Sequence, residues 1–205
     1  NQLLFFFMLP QTFLPFKGLK NKFNALDSEA HIVQQLKNKQ FTRAVSAVVE
    51  SYHELLYWHI RKLVKHHEHA NDTLQNTYVR IFKGLPNFGF KSSVKTWCYR
   101  IAYNESMRFL QQQQKLHYND SNDDTNAYFA HLTADPYFDF DSVSHALHES
   151  LAKLSEKQQQ VFQMKYYDEL TFEEISEITS WNVNSIKTAF YAAKEKITLF
   201  VTANV

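Results

Sequence analysis

Apolar side chains recur three or four positions apart through most of this chain, and this spacing constrains its fold more than any other feature. In the first half Val48, Tyr52 and Leu63 follow the spacing, and near the carboxyl end Ile186 and Phe190 follow it again. Because an α-helix has about 3.6 residues per turn, each run places one apolar stripe along a helix. The alternation typical of strands is not evident, so the sequence predicts an all-α fold.

Composition supports this prediction and excludes several kinds of protein. The 205 residues include only 3 glycines, too few for the turns of an all-β sandwich or for a glycine-rich phosphate loop. The single cysteine, Cys98, excludes a disulfide framework and a cysteine-based zinc site, and it indicates a reducing compartment. His66 and His69 share a helix face, but zinc needs three or four convergent ligands. We therefore expect no metal, no cofactor and no enzymatic activity.

The formal net charge of +1 conceals an uneven distribution. Residues 52–115 carry ten Lys or Arg against four acids, whereas residues 116–150 carry seven acids and no Lys or Arg. The basic block suggests contact with a polyanion, although Lys and Arg also cover ordinary solvated helices. The acidic block includes a polar, turn-prone run at 119–126, which indicates a flexible acidic linker.

These features divide the chain into four parts. Residues 1–20 form an N-terminal extension that we leave out of the fold, because Pro10 and Pro15 interrupt an apolar run too short to span a bilayer. We expect a first helical domain at 21–115, the acidic linker at 116–146 and a second helical domain at 147–205. With no signal-peptide pattern, the expectation is a cytoplasmic protein without a membrane partner.

The expected helices have recognisable starts and stops. In the first domain Asn71 or Asp72 can cap a second helix, Pro86 must interrupt it, and Ser92 or Ser93 can begin a third.

In the second domain Ser155 and Gln158 fit a capping box, and a short helix begins after Thr171. A turn at 180–182 then leads to a longer helix that Asn182 can cap. This outline is a helix-turn-helix, which is common in DNA-binding proteins but also occurs in ordinary helical hairpins.

Three stretches resemble the sigma factors of bacterial RNA polymerase, and more narrowly their extracytoplasmic-function group. Residues 71–82 are similar to the group's polymerase-binding helix, and residues 95–104 to its promoter-melting helix. Residues 174–178 with 183–188 resemble its carboxy-terminal helix-turn-helix. The positions that carry the first two likenesses are Asp72, Gln75, Tyr78 and Arg80, then Trp97, Tyr99, Arg100, Ile101, Ala102 and Asn104.

The resemblance implies a sigma factor that binds core RNA polymerase and directs promoter recognition and transcription initiation. Its partners would be core RNA polymerase and promoter DNA, and the family allows an anti-sigma factor as well. In the family the linker passes through the polymerase cleft, and the loop at 85–93 forms a pocket for a flipped −10 base.

Carried over position by position, the resemblance assigns three sets of residues. The polymerase-binding residues are Asp72, Gln75, Asn76 and Arg80. The −10 promoter residues are Lys91, Lys95, Trp97, Tyr99, Arg100, Asn104 and Arg108. The −35 promoter residues are Asn184, Ser185, Lys187, Thr188, Tyr191 and Lys194. Trp97 has a second interpretation, which its helical spacing favours: it packs inside the bundle.

The chain also departs from the family pattern. Ala189 and Ala192 stand where family members usually carry Arg, and Ser180 stands where they carry Gly. Two lost arginines would weaken −35 binding, and Lys194 and Lys196 could replace part of it. One alternative is a stand-alone helix-turn-helix regulator that binds a palindromic site. Another is a protein-interaction module that has lost its DNA contact.

Overall fold

The computed structural model describes residues 21–119 and 149–204 of the chain. Within these two ranges the regular elements are helical and no strand occurs, which confirms the predicted all-α fold. The extension at 1–20 and most of the predicted linker, with its carboxylates, lie outside the described residues. The helices are α1 (Asn21–Lys37), α2 (Phe41–Val64), α3 (His67–Gly84), a 3-10 turn (Leu85–Asn87), α4 (Val94–Asn119), α5 (Glu156–Tyr166), α6 (Phe172–Thr179) and α7 (Val183–Asn204).

The described residues group into two compact units. The amino-terminal unit contains 21–119 together with Glu173–Trp181, and the carboxy-terminal unit contains 149–172 and 182–204. The predicted domains at 21–115 and 147–205 stay a prediction, and within the described residues most of α6 groups with the amino-terminal unit. The physical reason is a set of side-chain contacts between α4 and α6, described below.

Helix α2 organises the amino-terminal unit because it packs against α1, α3 and α4. Val48, Tyr52 and Leu63 are buried on it, as their spacing predicts. Leu56 and Ile60 extend the same buried stripe. The helix ends at Val64, and Lys65 follows in a left-handed conformation that returns its amide to the Arg61 carbonyl.

The start of α3 corrects the predicted cap. Neither Asn71 nor Asp72 caps this helix, because it begins four residues earlier at His67 with His66 as its N-cap. The Ala70 amide already donates to the His66 carbonyl at 2.9 Å. Asn71 and Asp72 therefore lie inside the helix, where their side chains can point outward.

The break between α3 and α4 falls where Pro86 predicts it, in the 3-10 turn. Ser93 then caps α4, since its Oγ accepts the Thr96 amide at 2.9 Å. Gly84 ends α3 beside the Trp97 ring: a Cβ at Gly84 would lie 2.9 Å from that ring. The close approach of the indole, rather than a left-handed backbone, explains the glycine.

The carboxy-terminal unit is built on α5 and α7. The Ser155–Gln158 capping box is present at the start of α5, and the two helices pack against each other. Asn182 caps α7 by accepting the Asn184 amide at 2.9 Å, as predicted. The core cluster consists of Leu154, Phe162, Ala193 and Ile197, with Leu151, Tyr166, Tyr167 and Phe190 packed against it.

The connection between α6 and α7 contains a strained residue. Ser180 has a φ of 62°, in the left-handed region that favours glycine. Its amide donates to the Ser176 carbonyl at 2.8 Å, which ends α6. The family carries Gly at this position, so the chain retains the conformation without the residue that suits it best.

We therefore expect Ser180→Gly to raise the free energy of unfolding by about 0.5–1 kcal/mol, because it removes steric strain at an exposed site. Chemical denaturation of the full chain measures the change. The matched control is Ser46→Gly, an exposed serine inside α2. It should instead cost about 0.5 kcal/mol, since glycine disfavours a helix interior. Equal effects of the two substitutions would contradict the assignment of strain to Ser180.

Candidate functional site

The four predicted polymerase-binding residues share the exposed side of α3. Asp72, Gln75, Asn76 and Arg80 are all exposed in the structure. Offsets of three and four place the first three on one helix face. These four side chains give α3 a polar, hydrogen-bonding surface of the kind that the sequence predicted.

Sequence reasoning missed two apolar members of the same surface. Val79 is 51% exposed and Phe82 is 57% exposed, although both are large apolar side chains. They lie seven and ten residues after Asp72, which continues the exposed stripe. Spacing places Val79 outside the apolar stripe of Leu74 and Ile81, so its exposure could be predicted, but Phe82 lies eight residues after Leu74 and spacing alone does not assign it to the exposed side. Exposed apolar side chains beside polar ones are typical of a protein-docking surface.

Arg80 has a structural partner that the sequence did not indicate. Its Nε forms a salt bridge with Oε1 of Glu105 on α4, whose side chain is only 8% exposed. Nη1 of Arg108 lies 3.4 Å from the same oxygen. Two half-exposed guanidinium groups therefore compensate one buried carboxylate. This arrangement joins α3 to α4 and directs Arg80 towards α4.

The predicted −10 residues divide into exposed and buried groups. Lys91 and Asn104 are exposed, Arg108 is exposed beside Glu105, and Lys95 and Arg100 are half-buried. The Lys95 ammonium lies 5.7 Å from the centre of the Tyr99 ring, which holds it against the surface of α4. Cationic groups thus line the amino-terminal half of α4.

Tyr99 corrects the prediction, since it is not available to DNA in this structure. It is 1% exposed and packs edge-on against His59 at a ring separation of 4.9 Å. Trp97 is half-buried and packs against Phe88 at 5.3 Å. With Gly84 beneath its ring, Trp97 follows its bundle-packing interpretation in this structure.

The loop after α3 presents an aromatic side chain that the sequence reasoning did not name. Phe90 is 48% exposed and has a φ of 54°. Its ring packs at 5.0 Å from the buried ring of Phe88. A left-handed backbone at a bulky residue costs free energy, and such strain is typical of functional loops. Phe90 stands next to Lys91, so an exposed ring and a cation are adjacent.

Three contacts bring α6 and the turn after it against α4 within the amino-terminal unit. Thr96 donates to Glu174 at 3.1 Å, and Arg100 lies 3.6 Å from Glu177. The rings of Tyr103 and Trp181 meet edge-on at 6.5 Å. Arg100, a predicted DNA contact, is therefore paired with a carboxylate in this structure.

Three of the six predicted −35 residues form an exposed stripe on α7, and the other three are half-buried. Asn184, Thr188 and Tyr191 are exposed and recur at offsets of four and three. Ser185 accepts a hydrogen bond from Lys157 of α5 at 2.5 Å. The Lys187 ammonium lies 5.8 Å from the centre of the Phe172 ring. Lys194 is half-buried one turn further along.

The two alanines that depart from the family pattern border a surface cavity. Ala189 is buried and Ala192 half-buried, and the cavity has a volume of about 360 Å³. The residues that line it are Ser155, Lys157, Gln158, Ser185, Thr188, Ala189 and Ala192. Lys157 and Lys196 reach this region from either side, through Ser185 and Gln158 respectively.

The described residues show neither a metal-ligand cluster nor a helix suited to a membrane. Among residues 21–119 and 149–204, no group of three or more His, Cys, Asp or Glu converges as metal ligands would. The rings of His66 and His69 do meet, at 5.3 Å. Over the same ranges, none of the helices combines the length and apolar character needed to cross a bilayer.

Comparison with known proteins identifies the family. The sequence model of sigma-70 region 2 matches residues 48–116, and that of sigma-70 region 4 matches residues 144–197. The two matches cover 69 and 54 residues respectively, and together they account for 123 of the 205 residues. The chain belongs to the sigma-70 family. It is a sigma factor of the extracytoplasmic-function type, a subunit that directs transcription initiation by RNA polymerase. A stand-alone regulator is not favoured, because region 2 is matched as well as the helix-turn-helix.

The similarity to known sigma factors covers most of the length of each relative. RNA polymerase sigma factor YlaC of Bacillus subtilis is 28% identical over 144 residues, 70% of this chain and 83% of YlaC. SigV of the same organism is 27% identical over 168 residues, 82% of this chain and 97% of SigV. The ECF RNA polymerase sigma factor SigW is 25% identical over 162 residues, 75% of this chain and 87% of SigW.

Solved structures support the fold of the sigma factor. CnrH in complex with the cytosolic domain of CnrY has a TM-score of 0.59 at 16% identity, covering 87% of this chain and 99% of CnrH. RpoE of Bartonella quintana, solved with the anti-sigma factor NepR, has a TM-score of 0.58 at 17% identity, covering 82% of this chain and 99% of RpoE.

The Arg80–Glu105 contact predicts how Arg80 responds to mutation. Arg80→Ala should lower the free energy of unfolding of the full chain by about 1 kcal/mol, because Glu105 stays buried with one guanidinium instead of two. Urea unfolding measures the loss. Gln75→Ala, at an exposed position of the same helix, should change stability by less than about 0.5 kcal/mol. Unchanged stability of Arg80→Ala would contradict the structural role.

Proposed function

We propose that this sigma factor divides its work among three surfaces. The exposed side of α3 docks on core RNA polymerase. The amino-terminal half of α4 and the loop before it capture the melted −10 strand. The exposed stripe of α7 contacts the −35 element. In this proposal the protein has no catalytic activity of its own and works in the cytoplasm with the polymerase.

The observation that carries the proposal is the composition of the α3 surface. Gln75 and Asn76 supply hydrogen-bonding groups, while Val79 and Phe82 supply apolar area that has no place in the bundle. Stable protein interfaces combine these two components, with aromatic side chains at their centre. Arg80 contributes by orienting α3 on α4 through Glu105.

For the −10 strand, the proposal assigns phosphate contact to Lys91 and Lys95 and base contact to Asn104 and Phe90. Melted DNA offers phosphates to cations and unstacked bases to aromatic faces. Phe90 replaces Tyr99 as the proposed stacking residue, because Phe90 is exposed and Tyr99 is buried. Arg100 takes part once its pairing with Glu177 is exchanged for a phosphate.

For the −35 element, Asn184, Thr188 and Tyr191 are proposed to face the major groove, where amide and hydroxyl groups can read base edges. Lys187, Lys194 and Ser185 are proposed to contact the backbone. With alanine at 189 and 192, we expect a smaller contribution from −35 than from −10.

An anti-sigma factor is a further proposed partner. RpoE, a structural neighbour, was solved with one. The deciding experiment for the proposal as a whole is run-off transcription with bacterial core polymerase on the DNA upstream of this chain's own gene. A start site that depends on the protein supports the proposal. Failure to bind core polymerase and to give a transcript would overturn it.

The docking surface gives a specific prediction. Phe82→Ala should weaken binding to core polymerase by about 10-fold, because central aromatic side chains commonly contribute more than about 1 kcal/mol to an interface. A titration of labelled sigma factor with core polymerase measures it. Leu199→Ala removes an equally exposed apolar side chain from α7 and should leave the affinity unchanged. Equal effects of both substitutions would count against α3 as the docking surface.

The two DNA surfaces should separate by mutation. Lys187→Ala should weaken binding to the −35 duplex and reduce its salt dependence by about one counterion, without changing binding to the −10 single strand. Lys95→Ala should weaken binding to the −10 single strand without changing binding to the −35 duplex. Fluorescence anisotropy against salt concentration measures both. Lys37→Ala, an exposed lysine at the end of α1, makes the same charge change and should affect neither.

A further inference from the structure

A carboxylate from α1 holds the first turn of α4. Oε1 of Glu29 accepts the Val94 amide at 2.6 Å, and Oε2 accepts the Lys95 amide at 3.3 Å. Oε2 also accepts the hydroxyl of Tyr52 on α2. These contacts span 65 and 66 residues of sequence for the amides and 23 for the hydroxyl. One side chain thus joins three helices at the start of the helix proposed to capture DNA.

Glu29 completes a cap that the local sequence only half provides. The amides at the start of an α-helix have no partner within the helix. Ser93 accepts the Thr96 amide, and Glu29 accepts the amides of the two residues between them. A carboxylate is especially favourable at this end, because the helix dipole is positive there and its hydrogen bonds are charge-assisted.

Tyr52 fixes the carboxylate in turn. Burial, reinforced by the neighbouring Glu29 carboxylate, raises the pKa of the Tyr52 hydroxyl above its ordinary range. The hydroxyl is protonated at neutral pH, as an ordinary tyrosine is, and the raised pKa keeps it a donor at alkaline pH as well. Since Tyr52 is buried in the α2 stripe, the Glu29 carboxylate is anchored to the core of the bundle.

The cap also determines where a phosphate can bind. A bare helix N-terminus attracts anions, including DNA phosphates. At α4 this position is filled by the Glu29 carboxylate, so a phosphate must meet the side chains of Lys91 and Lys95 instead. The first turn of α4 and the loop that carries Phe90 are then held in one orientation relative to α1 and α2.

We infer that Glu29 is a positioning residue for capture of the −10 strand: it acts through the first turn of α4 and does not touch DNA. This inference rests on the proposed −10 role of α4. The inference predicts the direction in which DNA affinity changes when Glu29 loses its charge. Simple electrostatics predicts that removing a negative charge near the start of α4 strengthens binding of the DNA polyanion, whereas positioning predicts that it weakens binding.

The test compares Glu29→Gln with Glu54→Gln, an exposed glutamate on α2 that loses the same charge. The probe is the single-stranded non-template DNA upstream of the chain's own gene, and the temperature is well below every variant's melting point. We expect Glu29→Gln to weaken binding about 5- to 10-fold and Glu54→Gln to leave it unchanged or slightly stronger. Tyr52→Phe, which keeps the carboxylate but removes its anchor, should give a smaller loss.

Further measurements separate the possible failures. Glu29→Gln should keep its affinity for core polymerase and for −35 duplex, since α3 and α7 are not held by this cap. Unchanged or tighter −10 binding by folded Glu29→Gln would overturn the inference while leaving the proposed function standing. Absence of −10 binding by the unmodified protein, with Lys95→Ala equally inactive, would overturn the −10 role itself and this inference with it.

Discussion

The amino-terminal unit depends on one buried row of small side chains along α4. Val94, Cys98, Ala102 and Ser106 are four residues apart and completely buried. Small groups at this spacing form a low ridge, which lets α2 and α3 pack closely against α4. Burial raises the pKa of the Cys98 thiol, which therefore behaves as an apolar packing group. Once this row is buried, the opposite side of α4 is fixed outward.

The outward side of α4 carries the side chains that are proposed to contact DNA. Arg100 and Asn104 are about half a turn away from the buried row, so packing of the row determines where they point. The direction of a DNA-binding side chain is thus a consequence of which small residues are buried behind it. Trp97 lies between the two sides of α4, and its ring packs against Gly84 at the end of α3.

Two carboxylates organise much of the charge in the amino-terminal unit: Glu105, which is buried, and Glu29, which is half-buried. The net charge of +1 suggests little, yet Glu105 compensates Arg80 and Arg108, and Glu29 compensates the amides at the start of α4. Such groups are costly to bury alone and stabilising when fully bonded. Arg80 and Arg108, which the resemblance assigned to interfaces, therefore also stabilise the fold by pairing with Glu105. The family pattern singles out position 80, and the structure gives the arginine there a partner, Glu105, that the pattern does not reveal.

The sequence by itself determined the helical class, the main buried stripe of α2, the break at Pro86 and the caps at Ser155 and Asn182, and it offered Ser93 as one of two candidate caps for α4. These features depend on local periodicity and on hydrogen bonds within a few residues, which sequence spacing encodes directly. The start of α3 was misjudged for a related reason: an Asn or Asp resembles a cap wherever it occurs, and only the bonding of Ala70 to His66 shows that the helix began earlier.

Only the tertiary structure decided the burial of Tyr99, the exposure of Phe82 and Phe90, the grouping of α6 with the amino-terminal unit, and the partners of Glu29. A helix packed on more than one side buries positions that a single stripe leaves outside, as at Tyr99 beside His59. Glu29 reaches amides 65 and 66 residues away, and nothing in the local sequence of either segment specifies that pairing. Contacts at such separation depend on how all the helices pack together, which local spacing does not encode.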